Sequence, residues 1–410
     1  MSPLKSELGA VATAVLVLAP FALACSSDQQ QPDGGRTTSS VSPTAPPSTS
    51  SSTTDAGKQT AQLLMHPPLA QPGRTPQSPD GAESSMTGVF TPAQEGREVL
   101  LQKQSGGQWV TTGSSEESDQ GLAEFNGPTT AAGGGALRYR VVASEQGELP
   151  AVSSDAASTD EFGAPDFTDE FSGTSLGSAW ADRLQGYSAE SGRTCSKSDA
   201  RAVQVGGGTV RLSVLSDPDQ AAKCTYEGKQ YDYRLNGHIG TEGAQSFTYG
   251  YAAARIKFQK ERGQHGAFWM QPASREAEEG DAKLTGAEID VIEWFGENQP
   301  QGGLTSFAYH YPDDGAEGVT GKKEGGFLKQ PDQYGADWAD KYHVFSVEWT
   351  PESYIFRIDG HETFRTSKGV SGQPEYLILS LLSSDYELAN LDEDKLPQAM
   401  SVDWVRYWEM

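Results

Sequence analysis

Positive charge is scarce in this chain. Thirty-one Lys and Arg stand against 56 Asp and Glu, a net charge of −25. A nucleic-acid partner needs a basic footprint, so that class is disfavoured, as is adhesion to an anionic membrane surface. Histidine and cysteine are rare too, six and three residues in 410. No His pair has zinc-protease spacing and no phosphate loop is present. Gly173-Thr174-Ser175-Leu176-Gly177 fits G-x-S-x-G. It follows a Gly/Ser loop rather than a strand, with no βαβ series around it, so the nucleophile-elbow reading fails.

Composition divides the chain. Lys5 precedes an apolar stretch from about Gly9 to Ala24, too short to span a membrane comfortably, so residues 1–25 read as an export signal. It ends Ala22-Leu23-Ala24-Cys25, which resembles a lipobox and makes Cys25 the lipidation candidate. Ordinary cleavage nearby, with Cys25 discarded, is the alternative. That leaves Cys195 and Cys224 as an even pair for a disulfide in an oxidising compartment, or as two free thiols. Residues 26–60 are Ser, Thr, Pro, Gln and Gly, a disordered tether. Short alternating runs over 61–145 indicate a small immunoglobulin- or fibronectin-like β-sandwich. Within it Trp109 reads as core, with sugar stacking as the alternative. Residues 146–164 read as a linker. The region 165–410 is rich in strands, such as Val210–Val214, and Asp359-Gly360 makes a tight hairpin.

Chemistry concentrates in Glu288-Ile289-Asp290-Val291-Ile292-Glu293. The β-branched neighbours argue for a strand, where Glu288 and Asp290 share a face. Glu293 would point into the core of a regular strand, an expensive place for a charge. A β-bulge at Val291-Ile292 resets the alternation and returns Glu293 to the carboxylate face. Two inward-leaning Glu side chains then reach the separation of about 5–5.5 Å used by retaining glycosidases. A calcium site at this triplet is disfavoured, because a ladder of carboxylates along a strand converges poorly.

This pattern resembles the Glu-x-Asp-x-x-Glu signature of glycoside hydrolase family 16 in its bulged, laminarinase-like form. Asp169-Glu170-Phe171, Phe247-Thr248-Tyr249-Gly250, Ala254-Arg255-Ile256-Lys257, Ala267-Phe268-Trp269-Met270 and Met400–Tyr407 extend the resemblance in the family's order. It implies an all-β, concanavalin A-like jelly-roll sandwich over 165–410. It implies Glu288 as nucleophile, Glu293 as acid/base and Asp290 as the residue tuning both. Like charges on one face couple their titrations, and Glu293 is expected to carry the resting proton.

The resemblance further implies Trp269 as a sugar platform, although the residues alone favour core packing. His310 resembles a histidine near the acid/base. Asn236 and His238 stand where the family often has Ser-Gly-Arg. A structural calcium is implied at Asp403, a carbonyl near Gly208, and Glu170; on the residues alone Asp403 equally caps the last strand. The first Trp of "GLWPAFW" is His265 here, so one stacking surface is missing or moved.

The expectation is therefore a retaining endo-glycosidase acting on an extracellular polysaccharide, β-1,3- or β-1,3-1,4-glucan first and a galactan next. It needs no cofactor for catalysis. It is expected to be an extracytoplasmic monomer that touches a membrane only through its lipid anchor. A non-catalytic sugar-binding lipoprotein and a transglycosylase on the same fold are the competing readings.

Overall fold

The computed structural model describes residues 58–273, 279–312 and 321–410. Cys25 and most of the tether lie outside the described residues.

The N-terminal region forms two small antiparallel sheets. One contains Thr60–Ala70, Glu83–Thr91 and Leu122–Pro128. The other contains Glu98–Ser105, Gln108–Glu116 and Arg138–Ala143, extended by Val152–Ser153 and Ala157–Ser158. Those last two short strands fall within the expected linker. Met65, Met86, Phe90, Val99, Leu101 and Val141 are among the residues that close the core between the sheets. Trp109 is not in that core. It is half-buried on the second sheet, with the Arg140 guanidinium 4.6 Å over its ring.

From residue 167 one long antiparallel path folds over on itself. Its order is Lys322–Phe327, Leu304–His310, Glu288–Trp294, His265–Pro272, Glu375–Leu382 and Arg234–Gly240. It continues through Thr209–Ser216, Gln398–Glu409, Gly250–Lys257, His343–Trp349, Tyr354–Ile358 and His361–Thr366. Phe268, Met270, Leu377 and Leu379 from the first half share one core with Val347, Phe345, Val402 and Val405 from the second. This is a two-layer sandwich, as the alternating strands imply. The last hairpin turns at Asp359 (φ 45°) and Gly360 (φ 80°), the paired left-handed geometry a two-residue turn requires.

The N-terminal sandwich is docked on the outer layer. Leu69 enters a cluster with Tyr251, Ala253, Val344, Trp404 and Trp408. His66 Nδ1 lies 3.0 Å from Tyr251 Oη, and Trp404 Nε1–H donates to Gln71 Oε1 at 2.9 Å. Asn126 donates to the Asp359 carbonyl at 3.0 Å, and the Glu362 amide donates to Glu124 at 2.9 Å. Beneath this contact Arg255, fully buried, pairs with Asp403 and donates to the Gln71 carbonyl at 2.7 Å.

Removing the module would uncover three large aromatics and open a buried ion pair, a change costing several kcal/mol. A chain beginning at residue 165 should therefore melt well below one beginning at 58, or aggregate. Equal melting temperatures by calorimetry would show the two parts to be independent.

Candidate active site

The strand Glu288–Trp294 lies between Leu304–His310 and His265–Pro272. Asp290 is opposite Phe307, but Glu293 is opposite Thr305, so the register shifts between them. Val291 and Ile292 both enter the core. The bulge expected from the spacing is present, and the Val291 carbonyl accepts from Ser306 Oγ at 2.8 Å. Glu288 and Glu293 are half-buried, whereas Asp290 between them is buried.

Each carboxylate has its own surroundings. Gln271 Nε2 donates to Glu288 Oε2 at 3.1 Å, and Thr305 Oγ1 donates to Glu293 Oε2 at 2.9 Å. Burial raises the Glu288 pKa against the Gln271 hydrogen bond, with the charge of Glu293 adding to the rise. Asp290 is raised well above the usual range, by burial first and then by the charges of Glu288 and Glu293. Burial and the flanking carboxylates thus favour the protonated form of Asp290, as like charges at close range impose.

Trp269 stands on the cleft face, half-buried, with its N–H donating to Ser380 Oγ at 3.1 Å. His238 stacks beside it at 6.0 Å. Arg183 joins these groups. Its guanidinium is 5.4 Å from the Trp269 ring and donates to His238 Nε2 (2.8 Å), Gln271 Oε1 (3.0 Å) and Tyr376 Oη (2.8 Å). Burial, then the charge of Arg183, holds His238 well below its usual pKa, so it accepts as a neutral imidazole. The chain Arg183–Gln271–Glu288 orients the proposed nucleophile. Gln271 was recoverable from the sequence, two residues beyond Trp269 on the same strand face. Arg183 lies in a loop and gave no periodic signal.

Two expected contacts are corrected. Asn236 is fully buried; its amide donates to Ser196 Oγ at 3.1 Å and accepts from the Ser383 amide at 3.1 Å, which leaves nothing for a sugar. His310 is on the wrong face. Thr305, Phe307 and Tyr309 pair opposite the triad, so His310, one step on, alternates away and lies 3.8 Å from Glu324. Two of the side chains expected to hold calcium have protein partners. Asp403 Oδ2 accepts from Arg255 and from the Gln77 amide, and Glu170 accepts from Thr168 at 2.8 Å and Arg406 at 3.4 Å. Gly208 sits in the open turn between Val203–Gly206 and Thr209–Ser216. No group of three metal-ligating side chains occurs among the described residues.

Cys195 and Cys224 form a disulfide with Cα atoms 5.6 Å apart. Lys323, not anticipated, lies 3.6 Å over the Phe307 ring and lowers the Asp290 pKa slightly against the larger opposing effects.

The comparisons with known proteins bear on this arrangement. A family model described as "Beta-porphyranase A-D, GH16 domain" matches residues 163–410. The chain belongs to glycoside hydrolase family 16. It is a glycosidase, and its triad occupies the strand where the family's signature was read. A beta-glucanase of Rhodothermus marinus is 25% identical over 221 residues, covering 50% of this chain and 69% of that protein. A keratan-sulfate endo-1,4-beta-galactosidase of Sphingobacterium multivorum is 27% identical over 182 residues, 42% of this chain. A glucan endo-1,3-beta-glucosidase A1 of Niallia circulans is 26% identical over 226 residues, 50% of this chain. The chain spans only 40% and 30% of those last two. Among solved structures, the laminarinase catalytic domain of Thermotoga maritima aligns with 60% of this chain and 98% of its own, at TM-score 0.45 and 20% identity.

One buried acid near the triad has a measurable signature. Glu375 is fully buried, and its Oε1 accepts from the Ala287 amide at 3.4 Å, the residue before Glu288. Burial raises its pKa from 4.5 to about 8. A raised folded-state pKa means stability present at low pH and lost as pH climbs from about 4.5 through 8. Glu375→Gln should thus be more stable than the parent at pH 9, by roughly 3–5 kcal/mol, with little difference near pH 4. Parallel stability–pH curves from denaturant titration would contradict this.

Proposed function

We propose that this family 16 enzyme is a retaining endo-hydrolase of an extracellular β-linked polysaccharide. The observation that carries the reading is the bulge that sets Glu288 and Glu293 on one face with Asp290 between them. Glu288, oriented by Gln271, attacks the anomeric carbon while Glu293 protonates the departing oxygen. A glycosyl-enzyme forms. Glu293 then deprotonates the water that releases it. Asp290, whose protonated form is favoured by burial and its neighbours' charges, tunes the nucleophile beside it without transferring a proton. A purely sugar-binding protein would not need this arrangement of two half-buried carboxylates.

The first substrate is a β-1,3- or mixed-linkage β-glucan, in line with two curated relatives named for glucan cleavage. A second reading is a galactan. The family model's description and the galactosidase relative favour it. So does Arg183, a cation held beside the cleft tryptophan, which suits a substituted or anionic chain better than a plain glucan. Export and tethering through a lipid on Cys25 would place the enzyme outside the membrane with its cleft free.

The test uses residues 58–410 against laminarin, lichenan, agarose, porphyran, carrageenan and keratan sulfate. Cleavage of one polymer names the substrate class. Glu288→Gln and Glu293→Gln should each lower kcat by about 10³-fold or more with unchanged melting. Near-parental turnover in either variant would remove that residue from its role.

A further inference from the structure

In the cleft a histidine, His265, stands where the family pattern has a tryptophan. Ala267 is the register partner of Glu293. His265 stands two residues further along the same face, about 6.6 Å on. Its ring stacks beside Phe295 at 5.3 Å and 28° and beside Tyr386 at 6.1 Å and 22°. Its Nδ1 is 2.7 Å from Glu387 Oε2 and 3.3 Å from Tyr386 Oη.

Tyr386 is the exposed member of this stack, at 43%. It is nevertheless held on a tightly fixed turn. Ser384 and Glu387 form a capping box at its start. The Asp385 carboxylate accepts from the Thr194 amide (2.9 Å) and hydroxyl (2.7 Å), and Arg193 donates to Ser384. Leu388 packs on the Cys195–Cys224 disulfide. An aromatic face held open on a rigid turn loses little entropy when a ligand covers it.

We propose that Tyr386, with His265 and Glu387 behind it, forms a second sugar subsite that replaces the missing indole. This rests on the glycosidase reading above. A pyranose unit lays its C–H face on the Tyr386 ring, as aromatic platforms favour. His265 supplies the polar contact. Glu387 and the nearby charge of Glu293 outweigh burial and Arg193 and favour its protonated form. With Nδ1 engaged by Glu387, Nε2–H is the donor offered to a sugar oxygen. A tryptophan here would give a face but no charge, so the subsite selects a unit bearing an acceptor, a hydroxyl or an anionic ester, over a plain apolar edge.

The experiment is steady-state kinetics on the polymer cleaved by the parent chain, residues 58–410. Tyr386→Ala should raise KM about tenfold, the effect of one lost stacking contact, with kcat moving much less and melting unaltered. Tyr386→Phe keeps the ring and should stay within about threefold of the parent KM. His265→Gln should raise KM most on the most heavily substituted polymer. An unchanged KM in Tyr386→Ala overturns the subsite, as does an equal fall in kcat for Ala and Phe variants. A parent chain that cleaves none of the polymers overturns the substrate classes proposed above and, with them, this subsite.

Discussion

The constraint on which the site depends is a conflict of alternation. A strand that presents Glu288 and Asp290 to the cleft would send Glu293 into the core. Two consecutive apolar residues, Val291 and Ile292, both turn inward and resolve it. The same displacement leaves the Val291 carbonyl without its ladder partner, and Ser306 takes it up. One extra residue thus satisfies the core, the backbone and the chemistry together. Inserting or deleting a residue here would exchange the faces of every side chain beyond it.

The cleft is kept in shape from behind. The inner layer packs on the outer layer through one shared core, and the N-terminal sandwich covers the far face of the outer layer. Arg255 and Asp403 illustrate the consequence. Both are buried, and an isolated charge there would be costly, yet each is partnered by the other and by backbone groups of the 71–77 segment, with Arg255 Nη2 alone left without a hydrogen bond. The sandwich therefore forms part of the support of the enzyme.

The sequence was most informative where local rules decide. The bulge followed from the cost of burying Glu293, and the Asp359-Gly360 hairpin from its dipeptide. Counting left Cys195 and Cys224 as a candidate pair, and the fold brings them together. It was least informative where an outcome depends on which element arrives from elsewhere. His310 was misplaced because its face is set by pairing of Thr305 with Glu293, not by its distance from the triad. Asn236 was misplaced because Ser196 and Ser383, distant in sequence, take both ends of its amide. Arg183 was missed because a loop residue carries no periodicity. Trp109 escaped its core because its sheet leaves that face uncovered and Arg140 lies across it.

The account stands on Glu288 forming a covalent bond with the sugar. The most direct measurement is mass spectrometry of residues 58–410 after reaction with a 2-fluoro glycoside of the cleaved sugar, which slows release of the intermediate. The account predicts one added glycosyl group, mapped to the peptide containing Glu288. A label on Glu293 or Asp290, or turnover with inverted anomeric configuration and no trapped intermediate, would contradict it.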